Sequence, residues 1–545
     1  MKQHITFTIA IALLGFACNK SFLNKQPQDA YSSTSGDPDA LLAGVYAGQS
    51  DPNFEWGPPA WASGSSVVYW DCMSDNAYST YYWEEIQAYG NGTITPSSSY
   101  HINFWNYTTI NKCNYFLANI ANLETDSATL KNMIAQVRFI RAYQYFVMSQ
   151  LYGDVPLVTT QLTPAQADAS TRTPKDSVTK FILNELAAAI PNLSPESVYR
   201  GTPNEGHITI GAATALKVRV ELYQGDYADC ITDCQSLMQM GYSLDPSYTD
   251  LFRTPNQYNN PEIIAAVQYT ASSPSNALEV LAVMPSNSMG GQASICPLQS
   301  LVDTYEMTNG KLITDPTSGY DPLHPYTNRD PRLSMTILYP GEAFAYANGT
   351  NSFYDPIDST SQDYYLPPLS NRSASGYIVK KFTSNLADYN TYGLYQTGLN
   401  MIIFRYAEVL LSYAEAKIES GQIDATVYSA LNLIRNRAGM PNVDQTVYNN
   451  QATLRTLVRR ERRVELAMEG LRYYDIQRWQ IGPQVMNGWT YGARMGTVNP
   501  VTGEYTITGD SLIVENRVFA PKNYLWPVPQ SEIDLDKNLI QNPGF

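Results

Sequence analysis

The chain has 545 residues, a formal net charge of −15 and only 16% charged side chains, alongside 41 Tyr and 8 Trp. An acidic chain lacks the basic patch that nucleic acid or an anionic membrane surface requires, so no nucleic-acid partner is expected. Four scattered histidines, His4, His101, His207 and His324, do not make a multi-His metal centre; no metal and no cofactor is expected. Tyrosine-rich, lysine-poor surfaces suit neutral polar ligands, because the ring stacks and the hydroxyl hydrogen-bonds.

The chain opens "MKQHITFTIAIALLGFAC", with an apolar run from Ile5 to Leu14. A bilayer span needs ~20 residues, so this run reads as a secretory leader over 1–17. Ala17 before Cys18 resembles the bacterial lipoprotein signal, in which the cysteine is lipidated and becomes the new N-terminus. Gly15 stands where that signal usually has Leu, and an ordinary signal peptide cleaved nearby is the alternative. Residues 18–38 are polar and Pro-containing, as a lipidated tether should be. Five further cysteines, an odd number, do not form a complete disulfide framework; Cys230 and Cys234 lie one helical turn apart and read as small buried residues.

A helical pattern starts at 39–48 and gives way over 49–100 to Gly, Ser, Asn and aromatics. In "TLKNMIAQVRFIRAYQYFVMSQLYG", Leu130, Ile134, Val137, Arg141, Tyr145, Met148 and Tyr152 share one helical face, stopped by Gly153 and Pro156. Residues 174–192 predict another helix. Then "ALKVRVELYQGDYADCITDCQSLMQMGYSL" and "RYAEVLLSYAEAKIESGQIDATVYSALNLIRNRAGM" both read helix, Gly turn, helix, Gly stop, at Gly225 and Gly241 and at Gly421 and Gly439. Both match a tetratricopeptide-type repeat in length. With a 103–152 hairpin and helices over 450–480, they predict a mainly α scaffold of about four helical pairs. Residues 246–400, rich in Pro, Gly, Ser, Asn and Tyr, predict a large loop-rich insertion with short strands and helices, where function commonly sits. Residues 481–545 read as a second irregular lobe.

The segment "RRERRVELAMEGLRYYDIQRW", Arg459 to Trp479, is dense in Arg, Glu and Asp. Placed on one helix, Leu454, Leu457, Val464, Met468 and Leu471 make an apolar stripe that contains Glu461 and continues to Asp475. Glu461, Glu465 and Glu469 then become i,i+4 neighbours ~6 Å apart. That separation evokes a glycosidase pair, but catalytic carboxylates flank a substrate from opposing walls. Carboxylates on one helix among arginines read instead as ion pairs locking helix to helix, with Arg435, Arg437 or Arg405 as partners of Glu461.

"ERRVELAMEGLRYYDIQRW" resembles the signature helix of the SusD/RagB family of outer-membrane nutrient-binding lipoproteins. "FWNYTTINKCNYFLANI", "QVRFIRAYQYFVMSQLYGDVPL", "NRDPRL", "FRYAEVLLSYAEAK", "LNLIRNRAGMP" and "LWPVPQSEI…QNPGF" are similar to family segments in the same order. Met468 stands where the family commonly has an aromatic. The resemblance implies one SusD-like domain over 39–545. Its tetratricopeptide-like scaffold covers approximately 101–245 and 401–480, and its ligand-facing lobe 49–100, 246–400 and 481–545. It also implies a cell-surface, lipid-anchored binding protein with no catalytic residues, which delivers oligosaccharides to a SusC-type TonB-dependent transporter. A peptide-binding member and a surface glycoside hydrolase are the alternatives.

Sugar rings stack on flat aromatic faces, and the densest supply lies at 54–91. Trp70 and Tyr78, flanking "DCMSDNA", read as core. Tyr81, Tyr82 and Trp83 are consecutive and cannot all point inward, so at least one ring is expected in solvent. Trp83 and Asn91 are the first candidates for a glycan platform, with Tyr81, Tyr82 and Tyr89 beside them. Tyr320, Tyr326, Tyr346 and Tyr354 are candidates from the insertion. Asp71 and Asp75 could hold a calcium ion, but no ligand loop of recognised spacing supports that reading.

Overall fold

The helical periodicity becomes structure because most helices carry their own start and stop. The computed structural model describes residues 37–48, 67, 69–123, 125–269, 286–345, 351–365, 371–383 and 397–545. α1 (Pro38–Tyr46) starts behind Asp37, and α2 (Tyr107–Asn119) behind Asn106, whose side chain accepts from the Thr109 N–H. α3 (Ser127–Tyr152) is capped by Asp126 through the N–H groups of Ala128 and Thr129. α4 (Lys175–Ala189) follows Pro174, as expected from its sequence. α5 (Ile210–Gln224) and α6 (Tyr227–Met238) turn at Gly225, where φ is 82°. α7 (Tyr406–Glu419) and α8 (Ala425–Arg437) are joined through Gly421, where φ is 73°. Left-handed backbone of this kind favours glycine, which is why these turns were readable.

Each helix packs on its chain neighbour: α2 on α3, α3 on α4, α4 on α5, α5 on α6, α6 on α7, and α7 on both α8 and α9 (Gln451–Glu465). That is the serial packing of a helical-repeat scaffold. Among the described residues no helix is long and apolar enough to cross a membrane, and the five described cysteines are free and buried.

The charged segment is not one helix. α9 ends at Glu465, Met468 and Gly470 take φ of 65° and 76°, and α10 (Leu471–Arg478) starts afresh. Gly470 has no alternative: an added Cβ would lie 2.6 Å from the Val67 carbonyl oxygen. Its N–H donates to Asp71 Oδ2 at 2.7 Å. The predicted stripe therefore stops at Val464, and Glu469 is not a helical neighbour of Glu465.

Among the described residues ten strands, eight of them in the insertion and the C-terminal lobe, pair into five separate antiparallel ribbons. β1 (Ala77–Ser79) pairs with β3 (Ile295–Pro297), and β2 (Ile263–Val267) with β8 (Met401–Arg405). β4 (Ile337–Leu338) pairs with β7 (Ile378–Val379), and β5 (Ala343–Ala345) with β6 (Asn351–Phe353). β9 (Gly488–Val498) and β10 (Tyr505–Arg517) form a long ribbon inside what the sequence presented as an irregular lobe.

The main core gathers rings from distant parts of the chain. Trp70 meets Phe104 at 5.5 Å and Tyr473 at 5.8 Å, and Trp526 meets Tyr89 at 4.7 Å. Asn542 ties this corner to α3, donating from Nδ2 to the Tyr152 and Trp526 carbonyl oxygens.

A buried ion network joins scaffold to insertion. Glu461 accepts from Arg332 at 2.6 Å and from Arg435 at 2.9 Å. Glu465 accepts from Arg332 at 3.0 Å, from Arg405 at 2.8 Å and from Arg437. Glu469 accepts from Arg405 and Lys381, Glu262 from Arg405 and Arg437, and Glu306 from Arg435 and Arg460. Arg435 is thus a partner of Glu461, as expected, whereas Arg405 and Arg437 serve Glu465 and Glu262 instead. They stand at the end of β8 and of α8, which face the C-terminal end of α9. Asp475 is held separately, by Arg462 at 2.9 Å and Arg478 at 2.9 Å.

Candidate ligand-binding face

The three consecutive aromatics separate as their backbone dictates. Tyr81 is extended, and Tyr82–Glu84 form one 3₁₀ turn, in which successive side chains leave about 120° apart. Tyr81 is buried, while Tyr82 is 70% and Trp83 50% exposed. Trp83 lies flat on Tyr81, with ring centroids 4.4 Å apart and planes 19° apart; Tyr82 meets Trp83 edge-on at 5.3 Å. The Tyr81 hydroxyl donates to Asn371 Oδ1 at 2.6 Å and lies 2.9 Å from the Gln292 carbonyl oxygen. Tyr81 is therefore no open platform but the backing that fixes the Trp83 plane.

Polar groups hold the turn from beneath. Glu84 accepts from Tyr69 Oη at 3.0 Å and from Ser79 Oγ, and burial pushes its carboxyl pKa up. Gln87 Nε2 donates to Tyr78 Oη at 2.8 Å and to the Ser79 carbonyl oxygen at 2.7 Å. Glu85 takes the left-handed conformation, φ 58°, while its carboxylate accepts from the Ser99 N–H at 2.6 Å.

Other candidates are spent on structure. Tyr89 is buried, its hydroxyl 3.0 Å from His101 Nδ1, so it offers no ring face. Tyr354 is fully buried in a small core with Met289, Leu338 and Ile378. Tyr326 stacks on Tyr339 at 4.3 Å and on Tyr505 at 5.7 Å, and its hydroxyl meets that of Tyr377. Tyr320 is half-buried with the Arg329 guanidinium 5.6 Å from its ring centre. Asn91 uses its side-chain oxygen to accept from the Thr93 N–H and Oγ1 where the Gln87–Asn91 helix ends. Tyr346 and Cys18 lie outside the described residues. Trp70 is core, as expected.

The carboxylates that evoked a glycosidase are not free. Burial opposes ionisation of Glu461, yet Arg332 and Arg435 outweigh it and hold the carboxyl below its usual range. Glu465 and Glu469 are likewise held down by their arginines against burial. Asp75 is also engaged: against burial, Arg463 and Arg472 bring it to about 2. Asp71 accepts from Asn76 and the Gly470 N–H. Among the described residues no cluster of three or more His, Cys, Asp or Glu can hold a metal ion.

Two exposed rings went unread in the sequence. Trp489 and Tyr491 on β9 are 58% and 44% exposed. Their alternate spacing in "GWTYGARMGTV" was the available signal. A hollow of about 340 Å³ between α2 and the Gln530–Leu535 helix is floored by Trp105, Tyr107, Ile110 and Leu539. Asn111, Asp168, Ser170, Glu532 and Asp536 also line it.

This fold, a repeat scaffold locked by arginines to a loop-rich lobe bearing an open stacked ring, is that of a binding protein of the SusD type. The sequence model of the SusD family matches residues 253–545. A second, described as starch-binding associating with outer membrane, matches 21–222. The chain belongs to the SusD family. It is 29% identical to a SusD-like carbohydrate binding protein of Bacteroides fragilis, with a TM-score of 0.80, over 92% of this chain and 98% of that one. SusD-like protein P2 of Formosa agariphila is 24% identical over 81% of this chain and 80% of its own. A laminarin binding SusD-like protein shares the fold, at 22% identity and a TM-score of 0.69, over 93% of this chain and 99% of that one.

Proposed function

We propose that this protein is a cell-surface lipoprotein that captures neutral oligosaccharides and hands them to a SusC-type TonB-dependent transporter. The observation that carries the reading is the Trp83 ring, stacked on Tyr81, flanked edge-on by Tyr82 and half-exposed to water. A flat ring pre-set in one plane binds a sugar face without losing rotamer freedom on binding. The family's outer-membrane association and the carbohydrate-binding relatives support the same reading. Glu461 and Glu465 are engaged with arginines, so the charged segment supports a binding role over a cleaving one.

Calorimetry of residues 19–545 against a panel of neutral oligosaccharides tests this. Trp83→Ala is expected to weaken binding by about 1–2 kcal/mol, as truncation of a central aromatic does. Because Trp83 is half-exposed, the melting temperature should fall far less than for a core Trp. Wild-type affinity in that variant, or reducing ends released from the panel, would overturn the reading; peptides bound in place of sugars would redirect it. The anchor is tested separately: Cys18→Ser should abolish lipid labelling and free the protein from membranes.

A further inference from the structure

The β9–β10 ribbon presents a second open aromatic surface. Trp489 and Tyr491 are two residues apart on one strand and so leave the same face. Across the ladder Asn516 stands opposite Trp489, and Ile513 opposite Tyr491. All four are exposed. Between them Thr490 is half-buried, and its Oγ1 donates to the Glu515 carbonyl oxygen at 3.1 Å. Gly492 packs so closely on Ser375 that an added Cβ would lie 2.2 Å from its carbonyl oxygen. One face of the ribbon is closed, and the other holds rings in water.

The chemistry of that face selects among ligands. The charges nearest Trp489 are paired: Glu515 takes the Arg517 Nε at 2.7 Å, and Arg517 also donates to the Ser74 and Ala77 carbonyl oxygens. Arg494 donates to the Pro322 carbonyl oxygen. What remains open is an indole beside a carboxamide and, next along the strand, a phenol beside the Ile513 side chain. A ring stacks on a sugar face while an amide both donates to and accepts from hydroxyls, which suits a neutral saccharide.

The ribbon is also joined to the Trp83 platform. Asn371 accepts from Tyr81, and four residues later the Ser375 carbonyl oxygen accepts from the Ala493 N–H at 2.7 Å. Four residues span at most about 14 Å, so one short segment runs from Tyr81 to the closed face of the ribbon. Arg517, at the foot of β10, stands on β1, which leads directly into the Tyr81–Trp83 turn.

We infer that Trp489, Tyr491 and Asn516 form a second stacking subsite for a neutral glycan, and that the preferred ligand is a chain long enough to reach both this subsite and Trp83. The inference rests on the glycan-binding reading above. Its test compares chain lengths, using neutral polysaccharides in native affinity gels and the trisaccharides of whichever polymer binds. Trp489→Ala and Tyr491→Ala should weaken polymer binding by roughly tenfold, the loss expected on removing an aromatic anchor. They should leave trisaccharide affinity and the melting temperature at wild-type values, because both rings are exposed. Trp83→Ala should weaken both ligands. Polymer binding unchanged in both ribbon variants overturns the second subsite while leaving the glycan reading intact. Equal loss of short and long ligands in the ribbon variants overturns it too, since the ribbon would then be the primary site. Failure of the wild-type protein to bind any glycan in the panel overturns both readings.

Discussion

Replacing Glu465 by Ala removes the carboxylate that three guanidinium groups share. Arg332 and Arg405 donate to it at 3.0 and 2.8 Å, Arg437 donates as well, and none of these side chains is more than 4% exposed. Among the described residues the linked network holds six cations, Arg332, Lys381, Arg405, Arg435, Arg437 and Arg460. Against them stand six carboxylates, those of Glu262, Glu306, Asp330, Glu461, Glu465 and Glu469. The variant carries one surplus positive charge where water does not reach. Breaking a buried pair costs about 3–5 kcal/mol, and the other carboxylates that each arginine retains set the lower end as the expectation. With an unfolding entropy of about 2.1 cal/mol/K per residue, a chain of this size then loses about 3 °C of melting temperature. Differential scanning calorimetry of residues 19–545 measures the shift, and titration calorimetry on the folded variant should return wild-type glycan affinity. An unchanged melting temperature with lost binding would refute the structural assignment and place Glu465 in a ligand site.

Tyr81→Phe keeps the ring under Trp83 but deletes the hydroxyl that bonds Asn371. Stability should fall by about 0.5–1.5 kcal/mol and glycan affinity should fall with it, whereas wild-type affinity would show that stacking alone fixes the platform. Asp75 has its pKa depressed from 3.8 to about 2 by Arg463 and Arg472. A depressed folded-state pKa contributes stability that is present above pH 4 and lost as pH falls towards 2, roughly 2–3 kcal/mol in all. Melting temperature scanned from pH 6 to pH 2 should therefore fall less steeply below pH 4 in Asp75→Asn than in wild type. Parallel curves would mean that Asp75 titrates normally.

The helical pairs were legible because their stops are chemical: Gly225 and Gly421 take backbone conformations that other residues resist. The break inside the charged segment was not, because Met468 also takes a left-handed φ, and no side-chain preference announces that. Arg332, which shares Glu461 with Arg435, lies 129 residues from Glu461 in sequence, in the quoted "NRDPRL" segment. Helical spacing reports neighbours on one element and is silent about a loop arginine brought in by tertiary packing. The same limit divides the tyrosines. Local geometry required one ring of Tyr81–Trp83 to face water, and two do, but Tyr326 and Tyr354 were decided by residues far along the chain. The ribbon escaped notice because its glycines and small residues dilute the alternation that Trp489 and Tyr491 display.

Trp526 and Asn542 complete the corner that Trp70, Phe104 and Tyr152 begin, and Asn542 reaches a carbonyl 390 residues earlier in the chain. The first helices to leave the ribosome therefore emerge with their aromatic face uncovered, and stay so until nearly all of the polypeptide has been made. Synthesis and folding cannot proceed in step from one end, as they can in arrays whose repeats contact only their neighbours. A fragment truncated anywhere before Trp526 is expected to be aggregation-prone rather than a smaller working protein, even if every helix up to α10 is retained.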